Sequence, residues 1–207
     1  YVGQCRPCNV TVEGVTAEYN AVGYEGTNSS GVYVINSVFR NNRIGITPNS
    51  QNMETMAPQG QSTIIGNLVI DNDDPQAPEQ ASGGFAIGIA VGGGVSNVVS
   101  RNRVEGHDGA GILVTTLDGY TPANNQVTGN VLADNTVDLG FWIDGGMTET
   151  EGNGFALNTY KTSSPADIES LPVVVDAPVP VMPPSPAGPS YQDAPRPGPQ
   201  PTMSPAQ

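Results

Sequence analysis

The chain has 207 residues and is acidic, with 20 Asp and Glu against 7 Lys and Arg and a formal net charge of −13. That balance repels phosphate backbones, which argues against nucleic acid as a partner, and it disfavours acidic polysaccharides unless a cation bridges them. Charged residues are only 13% and Gly reaches 26, so the surface is covered largely by Asn, Ser, Thr, Gln and Gly; no run of about 20 apolar residues offers a membrane span.

In chain order, residues 1–30 read as one unit. Val2, Val10 and Val12 sit at strand-like positions, and Asn9-Val10-Thr11-Val12 alternates with β-branched residues. No cap precedes them, so the expectation is a fragment or a chain that has lost upstream units. The stretch 20–31 turns through Asn20, Gly23, Gly26 and Asn28-Ser29-Ser30-Gly31. A second unit follows over 31–50. Residues 47–61, with Pro48, Pro58, Gly60, Met53 and Met56, are expected to form a projecting loop. A third unit runs from Ser62 to Asn72, is interrupted by a loop over 73–84, and resumes at Phe85. Further units occupy 95–117 and 123–143, and a short one, Glu151 to Thr159, closes the series.

A hexad recurs through these units: Val15 to Asn20, Ser37 to Asn42, Asn67 to Asn72, Asn102 to His107 and Asn130 to Asn135. Its sixth positions are Asn20, Asn42, Asn72, His107 and Asn135, spaced by 22, 30, 35 and 28 residues. Gly with a large apolar residue follows each: Gly23-Tyr24, Gly45-Ile46, Gly88-Ile89, Gly111-Ile112 and Gly140-Phe141. A period near 22 with insertions marks a solenoid. Apolar residues alternate over three to five positions and never hold a 3.6-residue period, so the coils are β rather than helical. Asn tolerates the left-handed backbone of sharp corners, and at one corner of successive coils it can stack as a ladder. The sequence therefore predicts an all-β parallel β-helix of about six coils over 1–160, a linker over 161–171, and a disordered, extended tail over 172–207, where Pro fills 12 of 36 positions.

The repeat resembles the right-handed parallel β-helix, or pectin-lyase-like, superfamily over about residues 8–158. Cys5-Arg6-Pro7-Cys8, Tyr24-Glu25-Gly26-Thr27-Asn28 and Ile46-Thr47-Pro48-Asn49-Ser50 look like a group of exported bacterial β-helix proteins without assigned activity. The resemblance implies an extracellular or periplasmic location. In such a compartment Cys5 and Cys8 are expected as a disulfide bracing the first coil, with separate buried thiols as the alternative.

The superfamily includes hydrolases and lyases. Gly106-His107-Asp108-Gly109 and Asp73-Asp74 are similar to polygalacturonase-type motifs, whose chemistry sets two carboxylates about a glycosidic bond; the partner Asn-Thr-Asp and Arg-Ile-Lys motifs are absent. Asp73, Asp74, Arg103 and His107 are the candidate catalytic set, against a corner role for His107. Lyases of this fold use Ca²⁺, for which Asp71, Asp73 and Asp74 are the candidate oxygen ligands, against a solvated acidic loop. Met53 and Met56 offer two thioethers of the kind that favour Cu(I), and some periplasmic copper-accessory proteins share this architecture, against two surface methionines that are there by chance. Phe141 and Trp142 are expected to pack the end of the core. The leading expectation is a non-catalytic module that binds a glycan or an envelope partner, without a cofactor, through a polar side wall lined with Asn, Thr and Ser and the two loops 47–61 and 73–84; the alternatives are a polysaccharide lyase or hydrolase and a structural subunit.

Overall fold

The computed structural model describes residues 1–53, 55–80, 83–143, 152–170 and 182–189. Five full coils stack, each of three short strands separated by corners. The first strand of each coil builds sheet A: β1 (Val10–Glu13), β4 (Val32–Ile35), β7 (Thr63–Ile65), β10 (Val98–Ser100) and β13 (Gln126–Thr128), joined by β16 (Gly154–Ala156) of a sixth, partial coil. The second strand builds sheet B: β2 (Thr16–Glu18), β5 (Val38–Arg40), β8 (Leu68–Ile70), β11 (Arg103–Glu105) and β14 (Val131–Ala133). The third builds sheet C: β3 (Val22–Thr27), β6 (Ile44–Asn49), β9 (Ile87–Gly92), β12 (Ala110–Thr115), β15 (Val137–Trp142) and β17 (Ser163–Ser164). Every pairing between these strands is parallel, so the molecule is a parallel β-helix.

Register places like residue on like residue. Val12, Val34, Ile64, Val99, Val127 and Phe155 form one interior column from sheet A. Ala17, Phe39, Val69, Val104 and Leu132 form the column from sheet B. Tyr24, Ile46, Ile89, Ile112 and Leu139 form that from sheet C. Each such side chain contributes roughly 1.5–3 kcal/mol by leaving water.

The corners are as ordered as the strands, because their buried backbone groups need partners. Between sheets A and B the column is Ser37, Asn67, Asn102, Asn130 and Asn158. Asn67 shows the rule: its main-chain N and its Nδ2 donate to Asn102 Oδ1 (3.0 and 2.9 Å), and Nδ2 also donates to the Val34 carbonyl (2.9 Å). Asn67, Asn102 and Asn130 each donate both to the coil that follows and to the coil that precedes, and the oxygens of Asn102, Asn130 and Asn158 each accept two bonds. The last rung, Asn158, has no Asn beyond it. Glu169 Oε1 takes that place, accepting from Asn158 N (2.9 Å) and Nδ2 (2.8 Å). A third ladder, Asn97, Asn125 and Asn153, repeats the geometry at the entry to sheet A. The sequence reading had one ladder; the first position of the same hexad supplies a second.

Five features differ from the expectations. The Gly that follows each hexad is Gly23, Gly45, Gly88 and Gly111, but Gly111 aligns with Asp138, not Gly140, since Ile112 pairs with Leu139. A Cβ on Gly45 would stand 2.5 Å from the Gly88 carbonyl oxygen and 2.6 Å from Val69 Cγ1, so this column has no room for a side chain. Secondly, residues 47–49 belong to β6 rather than to a loop. The β6–β9 pairing skips from Ile46 to Asn49, where Pro48 has no N–H to offer. Thirdly, the stretch 161–171 is no linker up to Ser170: β17 pairs with β15, and Ile168 is buried in the core. Fourthly, the N-terminal segment lies along β3. Val2 N and Gln4 N donate to the Glu25 and Thr27 carbonyls (3.0 and 3.1 Å), and the Cys5–Cys8 disulfide closes the turn that follows. Fifthly, Phe141 packs in the core edge-to-face with Phe155, while Trp142, its neighbour in the strand, joins an apolar cluster on the other face of sheet C. The expected tail falls largely outside the described residues; within it, 182–189 have no regular secondary structure.

The ladder at the A–B corner is expected to be a main source of stability. Asn102→Ala leaves Asn67 N and one hydrogen of Asn67 Nδ2 without their acceptor in a buried corner, and takes one donor each from Asn130 Oδ1 and the Ile64 carbonyl. It should cost about 3 kcal/mol, read as a lower urea midpoint with an unchanged m-value.

Candidate binding groove

The corner between sheets B and C carries the hexad's sixth position. Asn20 N and Nδ2 donate to Asn42 Oδ1 (3.0 and 3.2 Å), and Asn42 N and Nδ2 donate to Asn72 Oδ1 (3.2 and 2.8 Å). His107 is the next rung. Asn72 Nδ2 lies 3.1 Å from its Nε2, and its Nδ1 lies 2.7 Å from Asn135 Oδ1. An amide nitrogen only donates and an amide oxygen only accepts. Nε2 is therefore the acceptor and Nδ1 carries the proton. Burial lowers the His107 pKa from 6.5 to about 4, against the opposing effect of its hydrogen bond to Asn135. Asp138 ends this ladder. Its Oδ1 accepts from Asn135 Nδ2 (2.9 Å), and its Oδ2 accepts from the main-chain N of Lys161 (2.8 Å) and Thr162 (3.1 Å).

The four residues considered for catalysis do not meet on one surface. His107 is 1% exposed with both ring nitrogens engaged inside the corner. Arg103 is exposed on sheet B and pairs with Glu105 of its own strand at 2.7 Å. Asp74 shapes the loop that follows β8: its Oδ1 accepts from Gln76 N (2.8 Å), and its carbonyl accepts from Ala77 N (3.2 Å). Asp73 lies beside Asp108, whose N donates to its Oδ2 (3.4 Å). Burial, and then the charges of Asp108 and Asp71, raise the Asp73 pKa above the ordinary carboxylate value. Asp71 occupies a turn with φ 51°. Among the described residues no three His, Cys, Asp or Glu form a group suited to a metal ion. Met53 is 88% exposed, and the main chain of Met56 is tied to the N-terminal segment by Gln4 and Arg6.

A concave site lies elsewhere, on the outer face of sheet C. It is a cavity of about 140 Å³. Thr47, Ala90 and Leu113 form its floor with Ile44 and Ile87 on one flank, and Gln80, Gly83 and Gly84 line one wall. The opposite side is lined by Gln51 and Leu117. There Asn52 is tied to the Leu117–Tyr120 turn, its Nδ2 donating to the Asp118 carbonyl (2.5 Å). Glu25 closes one end: its Oε1 accepts from Gln80 Nε2 (2.8 Å), Asn49 Nδ2 (3.3 Å) and Thr27 Oγ1 (3.4 Å). That carboxylate fixes the Asn49 amide, since only the nitrogen can face it. The other end of the amide, Asn49 Oδ1, is buried and receives no donor among the described residues. Asn49 is 2% exposed and lines the cavity. An orphaned buried acceptor costs about 1–3 kcal/mol until a donor reaches it.

Sequence reasoning missed this groove. The signal was present in β9 and β12, whose Ile-Gly-Ile-Ala-Val and Ala-Gly-Ile-Leu-Val runs do not alternate. Strands apolar throughout are buried on both faces, so something had to cover sheet C from outside.

Stacked parallel coils, three-sheet section, corner amide ladders and a grooved outer face define a β-helix solenoid with a side-wall site. Over residues 1–132 the chain matches the family described as the right handed beta helix region, and it belongs to that family. No curated protein and no solved structure matches it.

The pH behaviour of the corner follows from His107. The unfolded chain takes up a proton below pH 6.5, whereas the folded chain resists until about pH 4. Stability from this group is therefore full above pH 6.5 and is lost as pH falls towards 4, by about 3 kcal/mol in all. His107→Asn restores the amide found at the other rungs and removes that loss. Between pH 7 and pH 4.5 wild type should lose about 2–3 kcal/mol more than the variant, measured by urea unfolding at both pH values.

Proposed function

We propose that this protein is a non-catalytic β-helix binding module, and that the sheet C groove receives an uncharged glycan. The observation that carries the reading is the make-up of the groove, an apolar floor of Ile87, Ala90 and Leu113 beside the uncharged Thr47, Asn49 and Gln51, with no titratable side chain among the described lining residues. An apolar floor with a few placed polar groups is the usual make-up of a small-ligand site. A sugar ring brings C–H faces for Ala90, Leu113 and Ile87 and hydroxyl donors for Asn49. Thr47, Thr115 and Gln51 add hydrogen-bonding groups along the lining. The net charge of −13 favours a neutral ligand over an acidic one. Hydrolysis of the usual kind needs two carboxylates about the scissile bond, and among the described residues the carboxylate found beside the groove is Glu25, engaged by three donors. The Cys5–Cys8 bridge suits an oxidising compartment, which supports a reading in which the module works outside the cytoplasm on an envelope glycan.

A screen of neutral and acidic oligosaccharides, with and without Ca²⁺, tests this. Intact neutral oligosaccharide should be retained in both conditions. Ala90→Phe, which fills the floor, should weaken binding by about tenfold or more with an unchanged unfolding midpoint. Shortened or unsaturated products would establish an enzyme instead. Binding that survives Ala90→Phe would place the ligand elsewhere, and retention of no glycan would overturn the reading in favour of a structural subunit.

A further inference from the structure

The Pro-rich segment 182–189 is seated against the solenoid, and a buried arginine holds it. Arg43 precedes β6 and is 0% exposed. All its side-chain hydrogen bonds run to neutral acceptors. Nε donates to the Ala77 carbonyl (2.8 Å), Nη2 to the Pro75 carbonyl (3.0 Å), and Nη1 to the Pro186 carbonyl (2.8 Å) and Ser185 Oγ (3.0 Å). The guanidinium carbon lies 5.6 Å from the centre of the Phe85 ring. A buried guanidinium must find acceptors for its N–H groups, and here two of the four come from the segment. A second tie is Gly188 N, which donates to Glu79 Oε1 (2.6 Å). The seat is closely shaped, since a Cβ on Gly188 would stand 2.5 Å from Arg43 Nη2 and 3.0 Å from the Ala77 oxygen.

The other end of the segment reaches the groove's own apolar strip. Met182 packs against the cluster that contains Ile44, Ile87, Ala90 and Leu113 of the groove together with Ala110 and Val137. Ile44, Ile87, Ala110 and Val137 are consecutive rungs of one outer column of sheet C. The column thus continues past the groove, and Met182 lies on that continuation, close to Gly109. Four of the eight residues from Met182 to Pro189 are proline, so the segment is already extended and loses little entropy on docking.

We propose that Arg43, with the Pro75 and Ala77 carbonyls and Glu79, forms a docking site for a proline-rich peptide. Residues 182–189 occupy it in cis as a displaceable strap, and release of the strap lengthens the groove along Ala110 and Val137. The lengthening rests on the binding reading above; the docking site does not.

Methionine oxidation by hydrogen peroxide, followed by peptide mass spectrometry, reads the strap directly. Met53, 88% exposed, is the internal reference. In the full chain Met182 should form its sulfoxide at least about fivefold more slowly than Met53. Arg43→Gln and Gly188→Val should each bring the two rates within about twofold. Gly188→Val lies in the strap, so its result stands even where Arg43→Gln fails to fold. A synthetic Met182–Pro189 peptide should then bind the Gly188→Val chain and restore protection of the adjoining cluster against a hydrophobic dye. Equal oxidation rates in the native chain, protection retained in both variants, or failure of the peptide to bind would each overturn the docking site. Release of the strap with no change in oligosaccharide affinity would overturn only its link to the groove.

Discussion

The structure depends on one hydrogen-bonding problem and its solution. A coil that turns three corners within some 22 residues brings backbone N–H and C=O groups into the interior at each corner, where water cannot serve them. The carboxamide is the one uncharged side chain that both accepts and donates with two hydrogens to spare. One Asn per corner per coil therefore satisfies the backbone on both sides and hands the same requirement to the next coil. The requirement ends only when a group that accepts without donating is met. Glu169 and Asp138 are such groups, and each stands where the following Asn would be. Two acids that a count of charges would assign to the solvated surface are thus structural terminators of the stack.

His107 shows how narrow the tolerance is. Imidazole reproduces the donor and acceptor of the amide along the ladder, but it lacks the amide's second hydrogen. Asn42, Asn72 and Asn135 each reach a carbonyl of the preceding coil, at Ala17, Phe39 and Val104; the ring, with its single proton already given to Asn135, has none left for Val69. The same engagement removes His107 from chemistry. A general base needs a free lone pair in a cleft, and this one is spent on Asn72.

The proposed site lies on the side of the molecule where the repeat is least regular. Insertions after β6 and β8 rise beside sheet C, and its outer face is apolar where a two-layer pattern would make it polar. Part of that face is covered by Met182 and the strap, and part remains as the groove. Two polar atoms on that side are buried without a partner among the described residues, Asn49 Oδ1 and Trp142 Nε1. The arrangement supports recognition by shape and hydrogen bonding in a site whose own lining has no charge, on a chain whose overall charge turns acidic ligands away.

The sequence by itself determined the solenoid. Hexads at 22- to 35-residue intervals, Asn at corners and short β-branched runs leave few alternatives, because a period-2 pattern with regularly spaced breakers buries its apolar face only by stacking. It also marked the Asn20-to-Asn135 ladder, whose spacing is local. The tertiary structure decided what depended on contacts between coils far apart in the chain. The register that aligns Gly111 with Asp138 turns on Ile112 facing Leu139, which the Gly-apolar pairing of Gly140 and Phe141 imitates in sequence. The place of Arg43 beneath residues 142 and 143 positions later, and the meeting of Asn49 with Glu25 and Gln80, have no local signature. Backbone periodicity is written residue by residue, but a site is made where side chains of different coils converge, and only the fold brings them there.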